Sequence, residues 1–183
     1  ALAFGVLELP GATPTSLSLV LAAQAVPLVI MLPIGGVVAD RVGRARVIAI
    51  TDIVLSVVVF TVAALFLTGT ATVPLLIGLS FLMGLLNGLW WPAMSGLVPE
   101  VMGDDENLQP ANAYISVASN AGLILGNAVG GLLVAGFGSG IAIAIDGATF
   151  LVAGILVFTF RHVSTPHDSG ESMVGDLAHG WRV

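Results

Sequence analysis

The chain has 183 residues, 57% of them hydrophobic and only 9% charged, with a mean hydropathy of +1.06, a composition that excludes a soluble domain of this length and belongs in a bilayer. The net charge of −6 argues against nucleic acid as a partner. The absence of Cys excludes disulfides and thiolate metal sites, and the absence of Lys excludes a Walker-type phosphate loop, so the chain does not hydrolyse ATP by that route.

In chain order, residues 1–8 (ALAFGVLE) are too short to span. They read as the outer end of a helix whose start is missing, closed by the turn Pro10-Gly11-Ala12-Thr13-Pro14. Residue 1 is Ala, with neither a basic n-region nor a small-residue cleavage site, so the start is not a secretory signal and the chain reads as cut from something longer. No Asp, Glu, Lys, Arg or His lies between residues 9 and 39, 53 and 99, 107 and 145, or 147 and 160, and about 20 such residues suffice for a membrane helix. Spans are expected at 17–38, 47–68, 73–101, 112–135 and 140–160, joined by short connections that favour antiparallel neighbours. Gly69-Thr70-Ala71-Thr72 and Gly136-Phe137-Gly138-Ser139-Gly140 are read as uncharged hairpin turns.

The alternate connections hold all five arginines: Arg41, Arg44 and Arg46, then Arg161 and Arg182, with an acidic Gly103-Asp104-Asp105-Glu106 between them. By the positive-inside rule that face is cytoplasmic. The expected location is therefore the cytoplasmic (inner or plasma) membrane, multi-pass, with loops 39–46 and 102–111 and the tail 161–183 on the inside. Residues 1–161 form the transmembrane bundle and 162–183 begin a polar cytoplasmic segment, where Met173, Leu177 and Trp181 recur at helical spacing. His162, His167 and His179 in that tail lack ligand spacing and read as solvated; no metal or cofactor is expected.

Gly36-x-x-x-Asp40-Arg41-x-Gly43-Arg44, between the second and third helices, resembles the loop signature of the major facilitator superfamily. It departs at Ala45, where the signature has a second basic residue, with Arg46 one place on. Two further segments resemble the superfamily's exporter branch, which includes siderophore and multidrug efflux permeases. Gly122-x-x-x-Gly126-Asn127-x-x-Gly130-Gly131 is similar to the antiporter motif of the fifth helix, with Asn127 in place of Pro, and Ile145-Asp146-Gly147-Ala148-Thr149-Phe150-Leu151 resembles a stretch of the sixth. The resemblance implies an all-α polytopic bundle: the amino-terminal six-helix half of a twelve-helix fold, its first helix truncated and its carboxy-terminal half missing. In that superfamily two such halves rock about a central site.

The same resemblance implies a charge relay, or conformational switch, at Gly36, Asp40, Arg41, Gly43 and Arg44. Four residues separate Asp40 from Arg44, a pairing distance on a helix, and Glu100 closes the fourth helix on the same face; for Glu100 a relay role and an ordinary interfacial salt bridge stand level. Asp52 is expected to snorkel to water or pair with a nearby Arg. Asp146 has no basic residue on its side of the membrane, so proton coupling and a structural hydrogen-bonding role both stand, the structural one ahead.

In the fourth helix Ser80, Met83, Asn87, Trp91 and Met94 share a narrow arc. Such a face suits a mostly apolar ligand oriented by an amide, and it equally suits packed core or lipid contact. Pro92 should kink that helix beside Trp90 and Trp91, and Gly84 and Gly88 permit close helix contact. In the fifth, Ser116, Asn120 and Asn127 form a polar stripe read as cavity lining, with Gln24 of the second helix a weaker member. Gly122, Gly126, Gly130 and Gly131 form the stripe beside it, read as packing and a gating interface.

These readings converge on a secondary transporter that exports small amphipathic molecules by alternating access, with the proton as coupling ion and no covalent chemistry. An importer or symporter of the same fold stands as the alternative within transport, and a non-transporting scaffold or receptor subunit as the alternative outside it.

Overall fold

A computed structural model of the chain describes residues 1–102 and 105–159, with side chains left out of the description at 105–107. The described residues form five helical elements: α1 (Leu2–Glu8), α2 (Pro14–Val42), α3 (Arg44–Leu67), α4 (Val73–Met102) and α5 (Asp105–Thr159). Among the described residues four of these helices are long and apolar enough to cross a membrane. The acidic Gly103-Asp104, the side chains of Asp105 and Glu106, Arg161 and the tail from 162 onward lie outside the described residues.

Local chemistry marks most element ends. Thr13 caps α2 with a reciprocal pair, its Oγ1 accepting from the Ser16 amide at 3.2 Å and its own amide donating to Ser16 Oγ at 3.3 Å, and Pro14 follows at the first helical position. The connection expected over 39–46 shrinks to one residue. Helix α2 continues through Asp40 and Arg41 to Val42, and Gly43, at φ 99°, turns the chain directly into α3, a conformation side chains with a Cβ rarely adopt. At the far end of α3, Gly69 (φ 68°) closes the expected turn: its amide donates to Phe66 O at 3.3 Å and that of Thr70 to Leu65 O at 3.0 Å, the paired bonds of a Schellman cap.

The break expected over 136–140 falls at Gly138 (φ 83°, ψ 166°), where the chain leaves the helical conformation within α5, so the spans read at 112–135 and 140–160 meet across a one-residue kink rather than a five-residue turn. A helix of 55 residues would extend roughly 80 Å at 1.5 Å per residue, more than twice the hydrocarbon thickness; the break at Gly138 divides it into 105–137 and 139–159.

Helix α3 is the buried element. Leu55, Val58, Val59 and Val62 meet Val6, Val20, Leu76, Met83 and Ile143 in the main core, while Val47 and Ile48 join Ala39 and Ala93 in a second cluster near the α2–α3 connection. Helices α2 and α4 pack backbone to backbone through glycine. A Cβ at Gly84 would collide with Gln24 O and lie 2.7 Å from Pro27 Cγ, one at Gly88 would lie 2.5 Å from Met31 Cβ, and one at Gly35 would strike Gly88 O and lie 2.9 Å from Pro92 Cγ. The close contact expected of Gly84 and Gly88 is present, and Gly35 is its counterpart on α2. Helix α4 continues through Pro92 and Pro99, with Trp90 and Trp91 edge to face at 5.5 Å.

The final stretch of α5 runs antiparallel along α3. Gly140 faces Leu67, Gly147 faces Phe60 and Gly154 faces Ile53: each step of seven along α5 is a step of seven back along α3. At the end where this pairing begins, Ser139 Oγ donates to Glu8 Oε2 at 3.2 Å. The preceding stretch, 112–129, is exposed throughout.

Candidate functional site: a charged clamp and a cavity

Three helices meet at Arg44. Because α2 stays helical through Asp40 and only Gly43 intervenes, the Asp40 and Arg44 side chains fall side by side: Asp40 Oδ1 accepts from Arg44 Nε at 3.1 Å and Nη2 at 2.9 Å. Arg44 Nη1 donates to the Gly96 carbonyl of α4 and stands 3.9 Å from Glu100 Oε2. One guanidinium thus gathers α2, α3 and α4, using the planar fork that suits Arg to several acceptors at once. Gly96 went unnoticed in the sequence. A Cβ there would lie 2.5 Å from Arg44 Cζ, so the guanidinium rests on bare backbone. Gly36 contacts Pro92 only at ordinary range, 4.0 Å, and the steric demand falls on Gly35. Arg41 occupies the last turn of α2, where a cation complements the helix dipole. Ala45 is buried against α3's neighbours and Arg46 is exposed, so the position lacking the expected base is one with no room for it.

A cavity of about 330 Å³ opens between α2, α3, α4 and α5. Of the candidate residues, Gln24, Met83, Asn87 and Asp146 line it, with Leu55, Val59, Ile143 and Phe150 among the apolar walls and Ala1 and Leu2 alongside. Asn87 Nδ2 donates to Met83 O at 2.8 Å in its own helix, so the amide's donor is partly committed and its oxygen is not. The carboxyl of Asp146 makes no hydrogen bond or ion pair with a described side chain.

The remaining candidates are not brought to the cavity. Ser80 is buried in the core, Met94 packs against the Ala39–Ala93 cluster and Trp91 is 56% exposed, so with Met83 and Asn87 at the cavity the arc on α4 divides among four surroundings. Ser116, Asn120 and Asn127 lie on the exposed stretch of α5, where Asn120 Nδ2 donates to Ser116 O at 2.7 Å. Gly122, Gly126, Gly130 and Gly131 have nothing within 4 Å of where a Cβ would stand.

Asp52 departs from its expectation. It neither snorkels nor pairs with an arginine: it is 4% exposed and makes no ion pair among the described residues. Gly154 explains this, since a Cβ there would lie only 3.1 Å from Asp52 Cβ; the missing side chain lets α5 close over the carboxyl and shut its path to water. Trp90 interacts with Asp52 from α4, and its buried Nε1 has no hydrogen-bond partner within ordinary limits among the described residues. Among the described residues no cluster of His, Asp or Glu could hold a metal ion.

The described helices thus form an apolar bundle with a charged cluster at one end and a cavity of mixed polar and apolar lining within it. The sequence pattern of the Major Facilitator Superfamily matches residues 2–183, and the chain belongs to that family. Among similar proteins, the uncharacterized MFS-type transporter YfiS of Bacillus subtilis is 24% identical over 147 residues, covering 80% of this chain and 34% of that protein. The putative multidrug resistance protein MdtD of Cronobacter sakazakii is 32% identical over 124 residues (68% and 25%), and the quinolone resistance protein NorA of Staphylococcus aureus is 31% identical over 123 residues (67% and 30%). The chain spans about a quarter to a third of the length of the curated relatives it matches. Its family consists of multi-pass membrane transporters rather than enzymes.

Proposed function

We propose that this chain is the amino-terminal half of a twelve-helix secondary transporter that exports small amphipathic molecules by alternating access, driven by protons, in the cytoplasmic (inner or plasma) membrane. The observation that carries the reading is the cavity between four helices, whose aliphatic and aromatic walls are interrupted by Gln24, Asn87 and Asp146, with Met83 beside them. That lining suits amphipathic ligands held by a few polar groups and a thioether able to repack. The names of MdtD and NorA, a putative multidrug resistance protein and a quinolone resistance protein, support drug-like molecules as the substrate class.

The Asp40–Arg44–Glu100 clamp is the conformational switch in this reading. Its carboxylates lie at the helix ends, where water reaches Asp40, and a proton arriving there would remove the negative charge that holds Arg44. The arginine-bearing connections and the tail face the cytoplasm, the other half of the protein packs against this one, and the polar and glycine stripes of 112–131 belong to the surfaces that second half shapes.

The test is transport by the complete polypeptide in proteoliposomes, with a fluoroquinolone as probe and an imposed pH gradient. Uptake that requires the gradient and collapses with an uncoupler is expected. Gradient-independent binding without accumulation would overturn the transport reading, and Asp40→Asn moving the probe at the wild-type rate would remove the switch from it.

A further inference from the structure

Asp52 and Trp90 belong to neither the clamp nor the cavity, and they are two buried polar groups left facing each other. The Asp52 carboxyl, on α3, is sealed under Gly154 and makes no ion pair among the described residues. Trp90, on α4, interacts with that carboxyl, and its ring packs against the Ala39–Ala93 cluster, which also holds Ile48, one turn before Asp52. Its Nε1 is buried and falls short of hydrogen-bonding geometry with any described residue. A buried donor and a buried acceptor each cost free energy when left unmade, and here a small shift of α4 along α3 satisfies both.

The place of the pair gives that shift a meaning. Helices α3 and α4 run antiparallel, and Asp52 meets Trp90 in the same register in which Arg44 meets Gly96 and Glu100. Residues 44 and 52 are about 12 Å apart along α3 at 1.5 Å per residue, so the two contacts tie the same pair of helices at two levels. Pro92 stands between Trp90 and Gly96 on α4. It offers no N–H to the Gly88 carbonyl, so α4 lacks one rung beside the indole and yields there more readily than an unbroken helix.

We propose that Asp52 and Trp90 are positioning residues of the transport cycle: Trp90 Nε1–H donates to the Asp52 carboxyl once Arg44 releases Gly96, so that the α3–α4 interface has two alternative ties. This rests on the switch reading above and adds where α4 settles after release. With the clamp closed, α4 is held in the register described here and the indole stops short of its acceptor. With the clamp open, α4 advances until that bond closes, which gives the interface two discrete arrangements rather than a continuous slide.

The experiment uses the complete polypeptide in detergent with isotope-labelled tryptophan, the Trp90 indole resonance being assigned by its loss in Trp90→Phe. Arg44→Ala should move the Trp90 indole proton downfield, the signature of a hydrogen bond that has closed. Adding Asp52→Leu should abolish the move, and adding Asp52→Asn should preserve it, because the amide oxygen still accepts. In proteoliposomes, fluoroquinolone accumulation should fall about fivefold in Asp52→Leu and in Trp90→Phe, the worth of one buried hydrogen bond in the state that needs it. It should fall no further in the double variant and stay within about twofold of wild type in Asp52→Asn. Trp90→Phe and Asp52→Asn test the pair independently of whether Asp52→Leu folds. An indole resonance unmoved by Arg44→Ala, or moved equally when Asp52→Leu is added, would overturn the second tie. Equal losses of accumulation in Asp52→Asn and Asp52→Leu would overturn it as well. In either case a slowed Asp40→Asn leaves the switch standing, whereas Asp40→Asn at the wild-type rate removes the switch and this inference with it.

Discussion

Two glycine series lie on α5, on either side of Gly138, and they behave in opposite ways. Gly122, Gly126 and Gly130 recur every fourth residue, the spacing associated with close helix contact in membranes, yet each faces open space. Gly140, Gly147 and Gly154 recur every seventh residue and are pressed against Leu67, Phe60 and Ile53 of α3. A glycine permits close approach and does not cause it. The packed series has opposite it a continuous apolar helix in antiparallel register, and it is this pairing that brings Asp146 to the cavity and seals Asp52. In the open series, Tyr114, Val117, Ile124 and Leu132 stand more than half exposed, so bulky apolar residues share the helix with the glycines and meet no partner among the described residues.

The comparison breaks most readily with a large side chain in each series. Gly154→Leu should destabilise the chain by about 3 kcal/mol or more, because the added atoms meet the α3 backbone amide of Ile53, 3.0 Å from a Cβ, as well as side chains. Gly126→Leu should cost less than about 0.5 kcal/mol. Thermal unfolding in detergent, followed by helical circular dichroism, measures both, and similar losses would erase the distinction between the two series. Gly84→Ala extends the contrast to a third site. Its methyl would be driven onto Gln24 O and Pro27 Cγ, and a loss of about 2 kcal/mol is expected in the same assay; no loss would mean that α2 and α4 separate without cost.

A smaller effect is expected at the clamp. Gly96→Ala displaces Arg44 from its seat on α4, and with the Arg44 side chain 29% exposed water replaces part of what is lost, so about 1 kcal/mol is the expected cost. Arg44→Gln should then cost clearly less in the Gly96→Ala background than in wild type, which a double-mutant cycle reads as coupling. Independent, additive losses would show that the two residues do not work together. The smallest effect sharpens the contrast within polar residues. Asn120→Ala removes an amide bonded only to its own helix at Ser116 O and should change stability by less than about 0.5 kcal/mol and leave fluoroquinolone binding untouched. Asn87→Ala should weaken that binding severalfold, on the order of 1 kcal/mol, because Asn87 lines the cavity; equal binding by the two variants would detach the amide from the site.

The membrane spans were legible because long runs without charge admit few alternatives, and the Asp40–Arg44 pair because a four-residue spacing places two side chains on one helical face. Gly84 and Gly88 were read correctly as contact residues for the same reason of spacing. The break at 136–140 was legible from its glycines, although only Gly138 leaves the helix. The assignment failed for Asp52, whose nearness in sequence to Arg44 and Arg46 suggested pairing, whereas three helices enclose it. The even arc on α4 was legible as an arc, but helical periodicity says which residues share a face and not which neighbour each meets.

By itself the sequence determined that this protein lies in a bilayer, where its helices begin and end to within a few residues, and which charges sit at their ends, because hydropathy, capping and short-range spacing act within one segment. Tertiary structure alone decided which glycines are contacts, that Gly96 carries Arg44, that Asp52 is sealed, and that Gln24, Met83, Asn87 and Asp146 share one cavity. Those outcomes depend on the register of α5 along α3 and of α2 along α4, and register is set by the fit of two surfaces distant in sequence, which no single segment contains.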